Sequence, residues 1–321
     1  MKMEPDAHKS SPEANTRRIF KRLGRTIGPF FQEKMFVAGL IMVGAMAFIA
    51  IFAPWVSPYP AQGMGQTAVS SCPTSAAGIC PPSLQHLFGT EQTGRDLMSR
   101  IFFGIRTSMM ISVLVVLLAV AIGLGVGLTA GYFGGIVDEA LMRVTDIFLS
   151  FPHLILALVI VAVLGPGFFD VLIALGATWW PSFARLARAQ ALEIRSRPYV
   201  VLAKASGVTN RSILGRHILP NAISPLLVLI SVDLGAVVLA EAGLSFLGLG
   251  VRPPTADLGV IIAESANQIT TAWWYAFFPG IFLTVLVIGF NLLGDSIRDR
   301  VDPRLRGFIG TPAMNKLLRR K

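Results

Sequence analysis

Six stretches of the sequence are apolar over lengths that suit a lipid bilayer, and they constrain the fold more than any other feature. A transmembrane helix needs about 20 consecutive apolar residues. The third stretch is short because Pro152 and a Gly-Pro-Gly turn at residues 165–167 bound it. The six are approximately Phe36–Val56, Ser108–Thr129, Leu154–Leu164, Phe169–Ala187, Ala222–Phe246 and Ala276–Leu293.

Composition agrees with a membrane solvent. Hydrophobic residues make up 53 % of the chain and charged residues only 14 %, whereas a soluble domain has about a quarter of its residues charged. We therefore predict an all-α, polytopic membrane protein with about six transmembrane helices. The first apolar stretch begins near Met35 after a basic segment, so we expect no cleaved signal peptide.

Lys and Arg residues divide unevenly between the two sides that six spans would define. Of the 28 in the chain, 24 fall in the segments assigned to one side, and four (Arg95, Arg100, Arg106 and Arg252) fall on the other. The side rich in Lys and Arg is normally cytoplasmic. We therefore expect a multi-pass protein of the cell membrane with both termini in the cytoplasm. Because the basic residues lie between spans, the net charge of +10 does not indicate nucleic-acid binding.

The spans and loops divide the chain into four parts. Residues 1–34 are a cytoplasmic basic tail, and residues 35–107 hold the first span and a long extracytoplasmic loop. Residues 108–296 form the transmembrane core, which contains a cytoplasmic loop at residues 188–221. Residues 297–321 form a cytoplasmic tail.

The cytoplasmic loop at 188–221 has the pattern of two short helices. Pro198 suits the first turn of a helix, where its missing N–H is not needed. The residues from Tyr199 to Ser206 favour helix, and Gly207 stands where a left-handed C-cap is expected. Thr209 or Asn210 can cap a second helix, which we expect Pro220 to stop.

The sequence lacks the common catalytic and metal-binding motifs. It has no Gly-x-x-x-x-Gly-Lys-Ser/Thr phosphate loop and no His-Glu-x-x-His pair among its four histidines. The stretch Gly243-Leu-Ser-Phe246 resembles a serine elbow but lacks the second glycine. We therefore predict no catalytic residue, no metal site and no cofactor bound by this chain.

The cytoplasmic loop resembles the signature loop of permeases from binding-protein-dependent ABC importers. Six positions fit the family pattern: Ala203, Gly207, Arg216, His217, Pro220 and Asn221. Val201 stands at the usual Glu position and Leu202 at the first usual Ala position, so the resemblance implies docking without one polar contact. In that family the loop is the coupling helix, which docks on the ATPase. The resemblance thus implies coupling roles for these six residues and for Tyr199 and Lys204.

Further blocks narrow the resemblance to C-type subunits of the dipeptide and oligopeptide permease group. They follow in the family's order along the chain: His86 to Arg100, Trp180 to Arg188, Glu241 to Gly250, and Gly294 to Pro303. The implied fold is the type I (MetI-like) importer permease. The implied partners are a B-type permease, two ABC ATPases that hold ATP and Mg²⁺, an extracytoplasmic substrate-binding protein and the lipid bilayer.

The resemblance implies a permease that forms half of a translocation pathway for di- or oligopeptides. Nickel chelates or another small solute are the alternative substrates within the same class. A passive channel or a membrane enzyme is the alternative from a different class. The missing catalytic motifs oppose an enzyme, and the ordered cytoplasmic loop opposes a passive channel.

Several single residues carry further expectations. Asp233 and Glu241 lie eight residues apart on the fifth span, where ionisable groups are costly and usually functional. They are expected either to line the pathway or to bind helices of the second permease. His217 is expected to hold the second loop helix against the membrane core. The glycines of the Gly123-x-Gly125-x-Gly127 run suit close helix packing in lipid.

Cys72 and Cys80 are the only cysteines in the chain, and both fall in the first outer loop. Disulfides persist in oxidising compartments outside the cytoplasm. We therefore predict a Cys72–Cys80 disulfide, with two unpaired thiols as the alternative.

Overall fold

A computed structural model of the chain describes residues 33–66 and 79–301. This part of the chain is helical, with a single isolated β-bridge between Thr90 and Asp96. In chain order, the helices are α1 (Lys34–Val56), α2 (Pro60–Gly63), α3 (Leu97–Phe133), α4 (Gly135–Leu149), α5 (His153–Leu164), α6 (Phe168–Arg195), α7 (Pro198–Ala205), α8 (Asn210–Ile213), a π-helical segment (Leu214–Ile218), α9 (Leu219–Phe246), α10 (Leu258–Ser265), a 3₁₀ turn (Ala266–Gln268) and α11 (Trp273–Val301).

Four helical segments of the described chain are long and apolar enough to cross a bilayer. They are Lys34–Val56, Leu97–Phe133, Asn210–Phe246 and Trp273–Asp299. Helices α4 and α5 pass the same test only as a pair, which bends by 86° between Leu149 and His153. This bend explains why the third apolar stretch is short on its own. The all-α multi-pass class that the sequence predicted is confirmed.

Helix α6 is the remaining member of the six expected spans, and it is less apolar because it carries Asp170, Arg185 and Arg188. It runs parallel to α3: Gly176 lies beside Leu118 near the start of the contact, and Arg188 lies beside Gly131 near its end. At 1.5 Å per residue this shared length is roughly 20 Å. Since α3 crosses the bilayer, α6 lies at the same depth.

Glycines allow this close approach of α3 and α6, as the sequence predicted, but the register differs. A Cβ on Gly123 would lie 2.8 Å from the Trp180 carbonyl oxygen, and a Cβ on Gly131 would lie 2.6 Å from that of Arg188. Gly127 is equally crowded, whereas Gly125 faces open space. The contact stripe therefore has a spacing of four residues, because an α-helix returns to the same face after about one turn.

Two predicted boundaries fall inside helices. Helix α3 begins at Leu97, so the predicted division at residues 107 and 108 falls inside it. The Asp96 side chain accepts a hydrogen bond from the Ser99 amide (2.8 Å) and starts the helix earlier. Similarly, α6 continues to Arg195 and α9 begins at Leu219, so the connection between them is shorter than residues 188–221.

Apolar side chains form two buried clusters. One lies mainly between α3, α5, α6 and α9, and it includes Phe183, Ile213 and Ile218. The other lies mainly between α1, α3, α10 and α11. The first cluster extends beneath α7 and α8 and packs the loop between α6 and α9 onto the helical core.

Candidate functional site

Helix α7 has the ends that its sequence dictates. It begins at Pro198 and ends at Ala205, and Gly207 adopts a left-handed backbone with φ of +79°. The Gly207 amide donates to the Lys204 carbonyl (3.1 Å), and the Val208 amide donates to the Ala203 carbonyl (3.1 Å). This pair of bonds is the Schellman motif, which usually requires glycine at the left-handed position. The turn at Gly207 therefore fixes the direction in which α7 projects.

Buried apolar residues hold the two loop helices to the core. Val200 on α7 is almost completely buried, as are Ile213 at the end of α8 and Ile218 in the π-helical segment. Val208, in the turn, packs against the same cluster. The loop is therefore packed onto the helical core.

The opposite side of α7 presents apolar side chains to the exterior. The exposed fractions are 41 % for Tyr199, 54 % for Val201 and 66 % for Leu202. Ala203 is half-buried, and Lys204 is exposed at the end of the helix. A cluster of exposed apolar side chains on an ordered helix is typical of a protein interaction surface. We call Tyr199, Val201, Leu202 and Lys204 the α7 face.

Polar contacts tie the loop to neighbouring helices. Arg188 donates two hydrogen bonds to the Asp138 carboxylate on α4 (2.5 and 2.7 Å). The Arg195 guanidinium donates to the Gly131 carbonyl (2.8 Å) at the end of α3, which complements the negative end of that helix dipole. The Tyr132 hydroxyl donates to the Asn210 side chain (2.7 Å). These contacts join α6 to α4 and to the end of α3, and they join the loop residue Asn210 to α3.

At the base of α6, Arg197 donates to the Glu193 carboxylate (2.8 Å). This hydrogen bond raises the pKa of the Arg197 guanidinium. The pair is solvent-exposed, so it contributes little to stability.

The structure places the distal part of the loop around His217. Its ring lies 6.2 Å from the Tyr199 ring, and its carbonyl accepts a hydrogen bond from the Asn221 side chain (2.6 Å). The distal residues therefore contact α7 directly and join it to the start of α9. Arg216 is exposed beside them.

Pro220 does not stop the second helix as predicted. The chain continues from α8 through the π-helical segment into α9, with Pro220 in the first turn of α9. Proline removes one i→i−4 hydrogen bond and crowds the carbonyl of the preceding turn. The wider π-helical turn relieves that crowding, and such turns are frequent at functional sites. The loop between α6 and α9 is therefore continuous with a membrane-spanning helix.

The two acidic residues of α9 have different surroundings. Asp233 is half-buried, and its Oδ2 atom has no hydrogen-bond partner. Glu241 is completely buried and accepts a hydrogen bond from Ser245 (3.0 Å). The eight-residue spacing does not give both side chains the same environment. Only Asp233 keeps an exposed portion.

The outer end of the fold contains a polar cluster that the sequence analysis did not recognise as a structural unit. The Asp96 carboxylate pairs with His86 (2.9 Å) and caps α3, and the buried Arg100 donates to the Pro254 carbonyl (2.5 Å). An Asp immediately before an apolar helix is a known start signal and could have located this cap.

Two site predictions concern the outer loop and metals. Cys80 is buried, but Cys72 lies outside the described residues, so the disulfide stays a prediction. Among the residues that the structure describes, no three His, Cys, Asp or Glu side chains come together in a way that would hold a metal ion.

Spanning helices connected by an ordered two-helix loop define a multi-pass membrane protein. In the solved structures, the methionine ABC transporter MetNI has a similar chain: the TM-score is 0.53 at 22 % identity, over 64 % of this chain and 98 % of that one. This likeness supports the predicted type I importer permease fold.

Sequence comparison identifies the family. Residues 123–307 match the family described as "Binding-protein-dependent transport system inner membrane component", and the chain belongs to it. Residues 23–70 match the "N-terminal TM domain of oligopeptide transport permease C".

Relatives with assigned names include two bacterial permeases. The probable D,D-dipeptide transport system permease protein DdpC of Escherichia coli is 38 % identical over 84 % of this chain and 88 % of its own length. The dipeptide transport system permease protein DppC of Alkalihalophilus pseudofirmus is 35 % identical over 95 % of this chain and 97 % of its own length. The family resemblance inferred from the loop and from the four further sequence blocks is confirmed.

Proposed function

We propose that this chain is one of two permease subunits in an ATP-driven importer of di- or oligopeptides and forms half of the translocation pathway. The named relatives are dipeptide transport permeases, and this chain aligns with 88 % and 97 % of their lengths. They support the substrate class. A B-type permease supplies the other half of the pathway, and an extracytoplasmic binding protein delivers the peptide.

The observation that carries the coupling role is the exposed α7 face on an anchored loop. Two ABC ATPases bind ATP and Mg²⁺, and the α7 face of this chain docks on one of them. Because α8, the π-helical segment and α9 are continuous, displacement of α7 tilts a spanning helix. Alternating access then follows from rigid-body motion. This chain transmits the motion to the spanning helices, and its ATPase partners hydrolyse ATP.

This function requires both termini and the α7 face to lie in the cytoplasm of a cell with an inner or plasma membrane. The distribution of Lys and Arg supports this orientation. A reporter that is active only in the cytoplasm should work when inserted at Gly207 or fused after Arg306. Activity of the same reporter after Ser75 would contradict the orientation.

Asp233 is the candidate pathway residue, since it is partly exposed on a spanning helix and its buried Oδ2 atom has no hydrogen-bond partner within this chain. It would meet a charged end of the peptide. Glu241, which was expected either to line the pathway or to bind the second permease, is completely buried within this chain, and a different role is proposed for it below.

The test is reconstitution of the complete importer in vesicles, with uptake of labelled peptides driven by enclosed ATP. Ligands that co-purify with the binding protein would be identified first by mass spectrometry. Peptide uptake that depends on ATP and on this chain is the expected result. Uptake of a nickel chelate without peptide uptake would show that the substrate is a nickel chelate and not a peptide. Uptake without ATP would indicate a passive channel.

A further inference from the structure

Four polar side chains form a completely buried cluster at the end of α9 opposite the coupling loop. Glu241 and Ser245 belong to α9, Ser108 belongs to α3, and Asp257 is the N-cap of α10. None of the four exposes more than 1 % of its surface. The cluster therefore joins three helices in a place that water does not reach.

The hydrogen bonds within the cluster leave one carboxylate oxygen without a donor. Asp257 accepts from the Val260 amide at Oδ1 (3.0 Å) and from the Ser108 hydroxyl at Oδ2 (3.0 Å). Glu241 accepts from Ser245 at Oε1 (3.0 Å), while its buried Oε2 has no donor. Asp257 and Ser108 are both within hydrogen-bonding reach of Glu241, and the single hydroxyl hydrogen of Ser108 is donated to Asp257.

Two ionised carboxylates cannot hydrogen-bond to each other, because each offers only acceptors. Neighbouring carboxyl groups in an apolar site therefore share one proton. Both oxygens of Asp257 already accept from donors, whereas Oε2 of Glu241 does not. This difference places the proton on Glu241, which donates to the Asp257 carboxylate.

The arginines of α3 and of the segment before α10 have other neighbours, although the Nε and Nη2 atoms of Arg100 are buried without a hydrogen-bond partner. On α3, Arg100 donates to the Pro254 carbonyl (2.5 Å), and Arg106 is exposed beside the apolar groove between α1 and α3. In the segment before α10, the Arg252 guanidinium lies against Gly165.

The other acidic residues on the helices that pack around Glu241 lie away from it or have other partners. Asp233 lies eight residues from Glu241 along α9, which corresponds to about 12 Å. Glu264 of α10 accepts from the Tyr275 hydroxyl of α11 (3.0 Å). Glu241 is completely buried, and the side chains that interact with it, those of Asp257, Ser245 and Ser108, include no cation.

We propose that Glu241 is a protonated positioning residue whose hydrogen bond to Asp257 latches α10 against α3 and α9. Close backbone packing supports this placement: a Cβ on Gly104 of α3 would lie 3.2 Å from the Leu258 amide nitrogen. A Cβ on Gly259 of α10 would likewise lie 2.7 Å from the Ser245 side chain. A small displacement of α10 would therefore break the carboxyl pair.

The latch lies on the helix that leaves the coupling loop. Helix α9 begins at Leu219, next to the loop, and carries Glu241 about 33 Å further along its axis. A tilt of α9 changes the separation of Glu241 and Asp257 directly. The Glu241–Asp257 pair therefore holds this end of α9 in place until the ATPases displace the loop at its other end.

Infrared spectroscopy of the assembled importer tests the proton without relying on transport. The wild-type complex should show a protonated-carboxyl C=O stretching band at neutral pH, and Glu241→Gln should remove that band. Asp233→Asn is the matched control, because it neutralises the other acid of α9, and the band assigned to Glu241 should remain. Absence of the band from wild type, or its persistence in Glu241→Gln, would overturn the proposal.

Uptake measurements test the positioning role. Glu241→Gln retains an N–H donor for Asp257 and should keep uptake within about twofold of wild type, whereas Glu241→Leu loses the donor and should lower uptake by about tenfold. Equal uptake by both variants would contradict the latch. If the leucine variant is absent from membranes, the infrared comparison decides alone. Because that comparison needs no transport, failure of the proposed import function would remain distinguishable from failure of the latch.

Discussion

Gly127 on α3 faces the backbone of Ala184 on α6 so closely that a Cβ at residue 127 would overlap the Ala184 carbonyl oxygen and lie 2.8 Å from the Ala187 side chain. The neighbouring Gly125 has open space at its α-carbon. Two glycines of one run thus have opposite environments, which gives a matched pair of substitutions.

Gly127→Ala should destabilise the chain by about 1–3 kcal/mol, because the added methyl group meets backbone atoms that cannot move without separating the helices. Gly125→Ala should leave stability unchanged or raise it slightly, since alanine favours helix. Thermal unfolding of the two detergent-solubilised variants measures the difference. Equal melting temperatures would show that α3 and α6 do not pack as described.

The α7 face should lose its partner when a charge is placed in its centre. Leu202→Asp should lower ATPase retention by at least about tenfold, because a desolvated carboxylate opposes burial in the partner's groove. The chain should remain in the membrane, since Leu202 is 66 % exposed. Quantitative co-purification with the tagged ATPase measures the effect.

Leu84→Asp is the control for this experiment, because Leu84 is 99 % exposed on the other side of the fold. It should leave ATPase retention at the wild-type level. Val201→Glu, which restores the acid usual in the family, should be tolerated. If Leu202→Asp and Leu84→Asp retained the ATPase equally, the docking surface would lie elsewhere.

The Cys72–Cys80 disulfide should close a short loop on the oxidising face of the membrane. Alkylation without reductant, followed by mass spectrometry, should find both thiols unmodified. Prior reduction should make both reactive and serves as the positive control. Labelling of both thiols in the unreduced protein would establish the unpaired alternative.

The sequence predicted the parts of the coupling loop that depend on local rules. Pro198 and Gly207 define the two ends of α7, because proline suits the first turn and glycine suits a left-handed cap. The apolar stretches predicted the spanning helices for the same reason: a bilayer imposes length and composition on each helix independently.

The predictions from sequence failed where the result depends on how helices pack against each other. Pro220 alone suggests a stop, but the π-helical turn accommodates it and keeps the loop continuous with α9. Gly125 and Gly127 are equivalent in sequence, and only the position of α6 distinguishes them. Glu241 meets Asp257 through the packing of α10, which no periodicity along α9 could predict.

The central claim is that the direction of α7, fixed at Gly207, couples this chain to its motor. Gly207 and Gly215 are both exposed, and a Cβ at either would meet no atom within 4 Å. Of these two glycines, only Gly207 has a left-handed backbone, with φ of +79°. A β-branched residue is strained there by about 1–2 kcal/mol, so Gly207→Val should redirect α7 without a steric clash.

The decisive measurement compares ATP-driven uptake and ATPase retention for Gly207→Val and Gly215→Val in the same reconstituted importer. Both variants should reach the membrane and pair with the second permease. Gly207→Val should lose most uptake and release the ATPases on washing, while Gly215→Val should stay close to wild type. Normal uptake and full ATPase retention in Gly207→Val would contradict the coupling role of the loop.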